Sequence, residues 1–212
     1  MTASNELQNT CVFRFVSLWT QNSSNKELNK IVRLRLFKIG TYKFRVLLHQ
    51  LAARMSHKNL TDANEQQHFQ TNLIELMIKI TYEHPYHVLP IILAFSNSHK
   101  DLTLTGVGLN SKESKAIKND AQTKKLLITE DRVNTANYLL ELIKSRNASL
   151  KAIIESTQQV CDAYIELANY KVAKENKENK DITFPKNLLI NKIKKCSLVH
   201  VLTHPMPMVI NG

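Results

Sequence analysis

Glycine is almost missing from this chain. Four glycines and five prolines occur in 212 residues, and no glycine lies between Gly40 and Gly106. Two of the four, Gly106 and Gly108, share one loop. Tight hairpin turns rely on glycine, so turns here are few or polar, and long helices are favoured over short strands. The stretch from Lys43 to His87 also has no room for a glycine-rich loop that cradles phosphate.

Apolar residues recur at helical spacing along most of the chain. From about Leu7 to Thr20, the residues Leu7, Cys11, Phe15 and Leu18 share one face. Asn22 to Asn25 breaks the pattern, and a short helix from Lys26 to about Leu36 is predicted with Leu28, Ile31 and Val32 inward. Thr41 is placed to cap a helix with Phe44, Leu47, Leu48, Leu51 and Met55 inward. Residues 56–67 read as a polar connector. The clearest amphipathic pattern follows, with Phe69, Leu73, Leu76, Met77 and Ile80 on one side. That helix should stop near His84, because the residue before a proline is pushed out of helical geometry. The next helix carries Val88 to Phe95, and either kinks at Pro90 or starts there.

Residues 101–128 are polar and lysine-rich and are expected to form a flexible insertion. Thr129 then caps a helix with Glu130 and Asp131 in its positive first turn and Val133, Ala136, Leu140 and Ile143 inside. Ser149 is expected to cap the last long helix, whose inner face runs Ile153, Ile154, Thr157, Cys161, Tyr164, Ile165 and Ala168. Residues 171–181 form a charged linker, and 182–212 are irregular, with 206–212 able to begin a strand. The expected class is all-α: stacked antiparallel helix pairs in an α-solenoid of TPR or HEAT type, without a strict sequence repeat.

The net charge of +11 calls for a partner or a field. A nucleic-acid or membrane surface is one reading. The other is a solvated face whose acidic complement lies elsewhere in a larger protein. The lysines are scattered and not interleaved with aromatics, which favours the second. The cluster Arg33, Arg35, Lys38, Lys43 and Arg45 could touch phosphates or pair with an acidic neighbour, and the neighbour is favoured. Cys11, Cys161 and Cys196 are far apart, which argues against a zinc site or a disulfide scaffold and fits a reducing compartment. No signal peptide is expected, since Arg14 and Ser17 interrupt the early apolar stretch, and the run from Val88 to Phe95 is too short to span a bilayer.

Candidate chemistry is sparse. His84 and His87 beside Glu83 have a spacing of three where a zinc protease needs four with a glutamate between, so a structural corner is favoured. Gly106-Val107-Gly108 lacks the third glycine, the lysine-serine pair and the preceding strand of a phosphate loop. Asp131-Arg132 with Asn137 has the residue types of a kinase catalytic loop, but on an amphipathic helix and without the flanking motifs. No serine, cysteine or carboxylate pair has an activating partner at short range.

Several strings together resemble one family. They are Ser17-Leu18-Trp19, Lys38-Ile39-Gly40-Thr41-Tyr42-Lys43-Phe44, Gln50-Leu51-Ala52-Ala53-Arg54-Met55, His84-Pro85-Tyr86-His87, Ile91-Ile92-Leu93-Ala94 and the run from Cys161 to Asn169. From about residue 11 to residue 195 their order and spacing resemble the C-terminal part of the FAT domain in phosphatidylinositol-3-kinase-related protein kinases, in the DNA-damage-response branch. The resemblance departs at Gly40, where the family commonly has proline, at Pro90, and in the lysine-rich insertion.

The resemblance implies a FAT-type helical-repeat segment over 1–170 that wraps a kinase domain, with 182–212 as a connector to the start of a kinase N-lobe. It implies a nuclear parent, a serine/threonine protein kinase of DNA-damage signalling, repair and telomere maintenance, using ATP and magnesium or manganese. The kinase-domain residues that bind these have no counterpart here, so neither catalytic residues nor cofactor are assigned to this chain. Implied partners are the kinase domain of the same parent, a second copy through the FAT region, and DNA-damage signalling proteins. Neither a membrane nor direct nucleic-acid binding is expected. The candidate scaffold contacts are Gln50, Arg54, His84, His87, Asp131, Arg132, Asp162 and Tyr164. Gln50 and Arg54 would share a helical face and could bond across a helix pair or toward the kinase domain. The expected function is a regulatory scaffold cradling that domain. The alternative is an independent basic module binding nucleic acid or phosphoinositide.

Overall fold

The structure, a computed structural model, describes residues 3–36, 38–61, 66–100 and 120–170. Every regular element among them is helical, so the chain is all-α as its composition requires. The helices are α1 (Ala3–Gln21), α2 (Lys26–Leu36), α3 (Leu48–Ala52), α4 (His57–Thr61), α5 (Gln67–Glu83), α6 (Pro85–Ser96), α7 (Asp120–Arg146) and α8 (Ala148–Asn169). A 3-10 segment, Thr41–Leu47, leads into α3. The chain divides into two compact units, one containing Met1–Ile143 and the other beginning at Lys144. None of the described helices is long and apolar enough to cross a membrane.

Helix α5 is the axis of the first unit. The predicted stripe Phe69, Leu73, Leu76, Met77 and Ile80 is buried, and so are Gln70, Asn72, Ile74, Ile78 and Thr81. A helix buried on most of its circumference must be surrounded, and α2, α4, α6 and the 3-10 segment all pack on α5. Its end is set by Pro85: His84 takes φ −139° and ψ 55°, leaving helical geometry between α5 and α6. Pro85 occupies the first turn of α6, where its missing N–H does no harm. Pro90 sits inside α6 on the exposed side, so the helix starts at Pro85 and not late. Val88, Leu89, Ile92 and Leu93 are buried.

In α1 the buried stripe is Val12, Val16 and Trp19, one position on from the expected Leu7, Cys11, Phe15 and Leu18. Cys11 is exposed and Leu18 is 52% exposed, while Phe15 is half-buried. The two stripes are close in apolar content. Trp19 settles the choice, because its large ring is buried against Phe69 (4.8 Å between centroids) and its N–H finds a buried acceptor. The face of α2 also differs. Asn29, Val32 and Leu36 are inside, whereas Ile31 is 59% and Leu34 71% exposed.

Thr41 does not cap a helix. Gly40 holds the cap position without a side-chain bond, and Thr41 is buried inside the 3-10 segment. There, residues three apart eclipse one another, which puts Thr41, Phe44 and Leu47 on one buried line. Leu48, Leu51 and Met55 continue the core as expected. The connector 56–67 is partly helical, as α4, and its residues 62–65 lie outside the described ones.

Thr129 lies within α7, which starts at Asp120, so it caps nothing there, Glu130 and Asp131 lie well past the first turn, and 120–128 is helical. The stretch from Asp120 to Leu127 has alanine, glutamine, lysine and leucine and no helix breaker. Ala136, Leu140 and Ile143 are buried as expected, with Thr135 and Leu139 beside them, and Val133 is half-buried. In the second unit Asn147, not Ser149, caps α8: its side chain accepts from the Leu150 N–H at 3.0 Å. Ile153 and Ile154 are buried, but Tyr164 is 60% exposed and Ala168 is exposed. Periodicity says which residues share a face and not how far along that face anything covers it. The rest of the insertion (101–119), the linker and the C-terminal connector lie outside the described residues.

Candidate functional site

Three polar clusters hold the helices of the first unit together. The deepest is built on Asn29, 1% exposed in a helix that otherwise buries apolar side chains. Asn25 opens α2 by accepting from the Leu28 N–H at 2.9 Å. One turn on, the Asn29 amide donates to the carbonyls of Ser23 (2.8 Å) and Asn25 (2.9 Å). Its Oδ1 accepts from Trp19 Nε1 at 2.8 Å. Its own carbonyl accepts from Asn72 Nδ2 on α5 at 2.9 Å. A buried asparagine is tolerated when its amide is this fully engaged. One residue thereby joins α1, the α1–α2 turn, α2 and α5.

The second cluster lies at the start of α4. A five-residue helix cannot supply partners for its own first amides. Here α7 supplies two: Thr135 Oγ1 accepts from the His57 N–H at 2.7 Å, and Asp131 Oδ1 accepts from the Lys58 N–H at 2.9 Å. Ser56 Oγ accepts from the Asn59 N–H at 3.2 Å. On the other side, the Gln70 carboxamide accepts from the Ser56 N–H and donates to the Arg54 carbonyl, both at 3.0 Å. Asp131 thus lies outside the first turn of its own helix, contrary to expectation, and bonds the start of α4. Beside it the Arg132 guanidinium lies 6.0 Å from the Phe95 ring, a cation–π contact between α7 and α6. Asn137 Oδ1 accepts from Ser96 Oγ. Asp131 and Asn137 thus serve packing among the described residues.

The third cluster is the α5–α6 corner. Thr41 Oγ1 donates to Glu83 Oε2 and lies 3.1 Å from His84 Nε2. A hydroxyl has one proton, so with Glu83 receiving it His84 Nε2–H is the donor to Thr41. The His84 and His87 rings meet edge to face at 6.2 Å. Burial lowers the His84 pKa from its ordinary value, Arg45 and His87 push the same way, and Glu83 opposes them. Hydroxyl, imidazole and carboxylate are together here, but not as a nucleophilic triad. Thr41 is 1% exposed, and an imidazole that donates to the hydroxyl cannot take its proton. No group of three or more histidine, cysteine, aspartate or glutamate side chains that could hold a metal occurs among the described residues.

The remaining candidates stand apart. Gln50 lies on α3, but Arg54 stands two residues past its end at Ala52, so the expected shared helical face is not formed; Arg54 Nη1 donates back to the Gln50 carbonyl at 3.1 Å, and both residues are exposed. The bond across to α5 is made by the Arg54 carbonyl. Asp162 accepts from Gln158 Nε2 at 3.0 Å within α8, and Tyr164 faces solvent. The joining residues that sequence reasoning passed over are Asn29, Gln70, Asn72 and Thr135. Their signal was present: each is a polar residue on an otherwise apolar helical face.

The arrangement defines an all-α segment in which, among the described residues, polar side chains tie helices to one another. No family model matches the chain. Over 200 residues, 94% of its length, it is 34% identical to the serine-protein kinase ATM of Sus scrofa. It is 27% identical over 198 residues to the serine/threonine-protein kinase ATM of Arabidopsis thaliana, and 27% identical over 176 residues to the serine/threonine-protein kinase TEL1 of Saccharomyces cerevisiae. These matches cover 92% and 82% of the chain. The chain spans only 6%, 4% and 5% of those three relatives. It is an ATM-like segment of the phosphatidylinositol-3-kinase-related kinases.

Proposed function

We propose that this chain is a regulatory helical scaffold within an ATM-like serine/threonine protein kinase of the DNA-damage response, cradling the kinase domain of the same parent in the nucleus. The observation that carries the reading is the 34% identity to an ATM kinase along 94% of the chain. Buried polar ties that fix helices in one arrangement suit a part that must hold its shape under load. Such a scaffold regulates only if it contacts the active and inactive kinase states differently. ATP and magnesium or manganese would be bound by the kinase domain. The described residues of this chain offer no metal cluster, and its sequence shows no phosphate loop.

The test has two arms. The purified chain, given ATP, both metals and a serine peptide, transfers no phosphate. In the full-length parent, Asn29→Ala alters the basal kinase rate while leaving ATP affinity unchanged. Phosphate transfer by the chain alone, or a parent indifferent to a loosened segment, refutes the proposal. The net charge of +11 is the observation behind a second reading, a module for nucleic acid or phosphoinositide, against which the scatter of the lysines counts. That reading requires duplex DNA or phosphoinositide vesicles to bind with a steep loss of affinity as salt rises.

A further inference from the structure

Helix α2 shows solvent an apolar ridge with a basic rim. Its core side is Asn29, Val32 and Leu36. On the opposite side, one turn apart, stand Ile31 and Leu34, 59% and 71% exposed. At 100° per residue, Lys30 and Arg35 flank that ridge about 70° to either side of its centre, Arg33 lies further round toward the core side, and Lys38 stands just past the helix end. All four are exposed. The single carboxylate of α2, Glu27, is taken by Lys30 at 2.7 Å. No carboxylate of the described residues pairs with Arg33, Arg35 or Lys38.

We propose that this face docks an acidic amphipathic helix from another protein segment, with aliphatic side chains over Ile31 and Leu34 and carboxylates on Arg35 and Lys38. The argument is complementarity. Two aliphatic side chains one turn apart are the seam of a helix pair, and flanking charges choose the partner's sign. Arginine forks match carboxylates in two-point contact. Nucleic acid would satisfy the arginines but leave Leu34 uncovered, and α2 has no aromatic ring on which a base could stack. A membrane-lying helix turns its wide apolar face to lipid, whereas α2 buries its main apolar side in the core. The inference stands independently of the cradle reading.

The probe is a fluorescein-labelled helical peptide roughly three heptads long, with leucine at the seam positions and glutamate at the flanks. Against the whole chain, anisotropy should show saturable binding. A matching peptide with lysine flanks, a duplex DNA and phosphatidylserine vesicles are the comparisons. The double variant Ile31→Ser, Leu34→Ser should weaken peptide binding about tenfold or more. Arg35→Glu with Lys38→Glu should transfer preference to the lysine-flanked peptide. These side chains are exposed, so circular dichroism should be unchanged. Absence of saturable binding, equal binding of both peptides, DNA or vesicles as the only ligand responding to the substitutions, or binding insensitive to both variants overturns the proposal.

Discussion

Replacing Asn29 with alanine should damage the first unit far more than deleting one small polar side chain suggests. Three side-chain hydrogen bonds disappear at once. The carbonyls of Ser23 and Asn25 lie in an exposed turn and can turn to water, so their loss is small. Trp19 is different. It is 1% exposed, and its indole N–H would be left without an acceptor, which costs about 1–3 kcal/mol. The space left beside the ring adds about 1 kcal/mol. The sum is about 2–4 kcal/mol, a shift of the urea midpoint of about 1–3 M. Trp19 is the sole tryptophan of the chain, so its fluorescence reports on this unit directly. A companion cycle tests the cause. Trp19→Phe removes the donor, and once it is gone Asn29→Ala should cost less, with a coupling of about 1–2 kcal/mol read by circular dichroism. Additive single variants, or an alanine variant within about 0.5 kcal/mol of the parent chain, would refute the reasoning.

Three further outcomes follow from the other clusters. Gln70→Ala should cost about 1–3 kcal/mol and speed hydrogen exchange at the Ser56 amide, because the 2%-exposed carboxamide serves both Ser56 and Arg54; unchanged exchange there would contradict the assignment. Asp131→Ala combined with Thr135→Val should fray α4 alone, for about 1–3 kcal/mol, seen as faster exchange at His57 and Lys58 while α5 stays protected. His84 should titrate below its ordinary 6.5, as followed by its ring-proton chemical shift. Its depressed folded-state value means that its stabilising share is complete above 6.5 and is lost as pH falls from there through the folded value. His84→Asn should remove that part of the acid sensitivity, and a His84 titrating at or above 6.5 would contradict the burial argument.

Much of the candidate site was legible as residues but not as partners. Asp131 and Arg132 stand at a contact point, yet the helix they serve is α4, which reads as a connector in sequence because five residues carry too little periodicity to register. His84 was placed correctly at the end of α5 by the proline that follows it. Its bond with Thr41 spans 43 residues, a separation no local pattern encodes. Gln50 and Arg54 have the spacing of one helical face, but α3 ends at Ala52, before Arg54, and spacing alone does not say where a helix stops.

The amino-acid order by itself determined the all-α class, the buried stripe of α5, the break at His84 and the inward set from Phe44 to Met55. Each of these follows from local sterics and from a hydrophobic period that holds whatever the neighbours are. Tertiary structure alone decided between the two competing stripes of α1 and turned Ile31 and Leu34 outward. It did so because a buried Trp19 N–H needed an acceptor, and Asn29, fully engaged by turn carbonyls, could supply one only from inside.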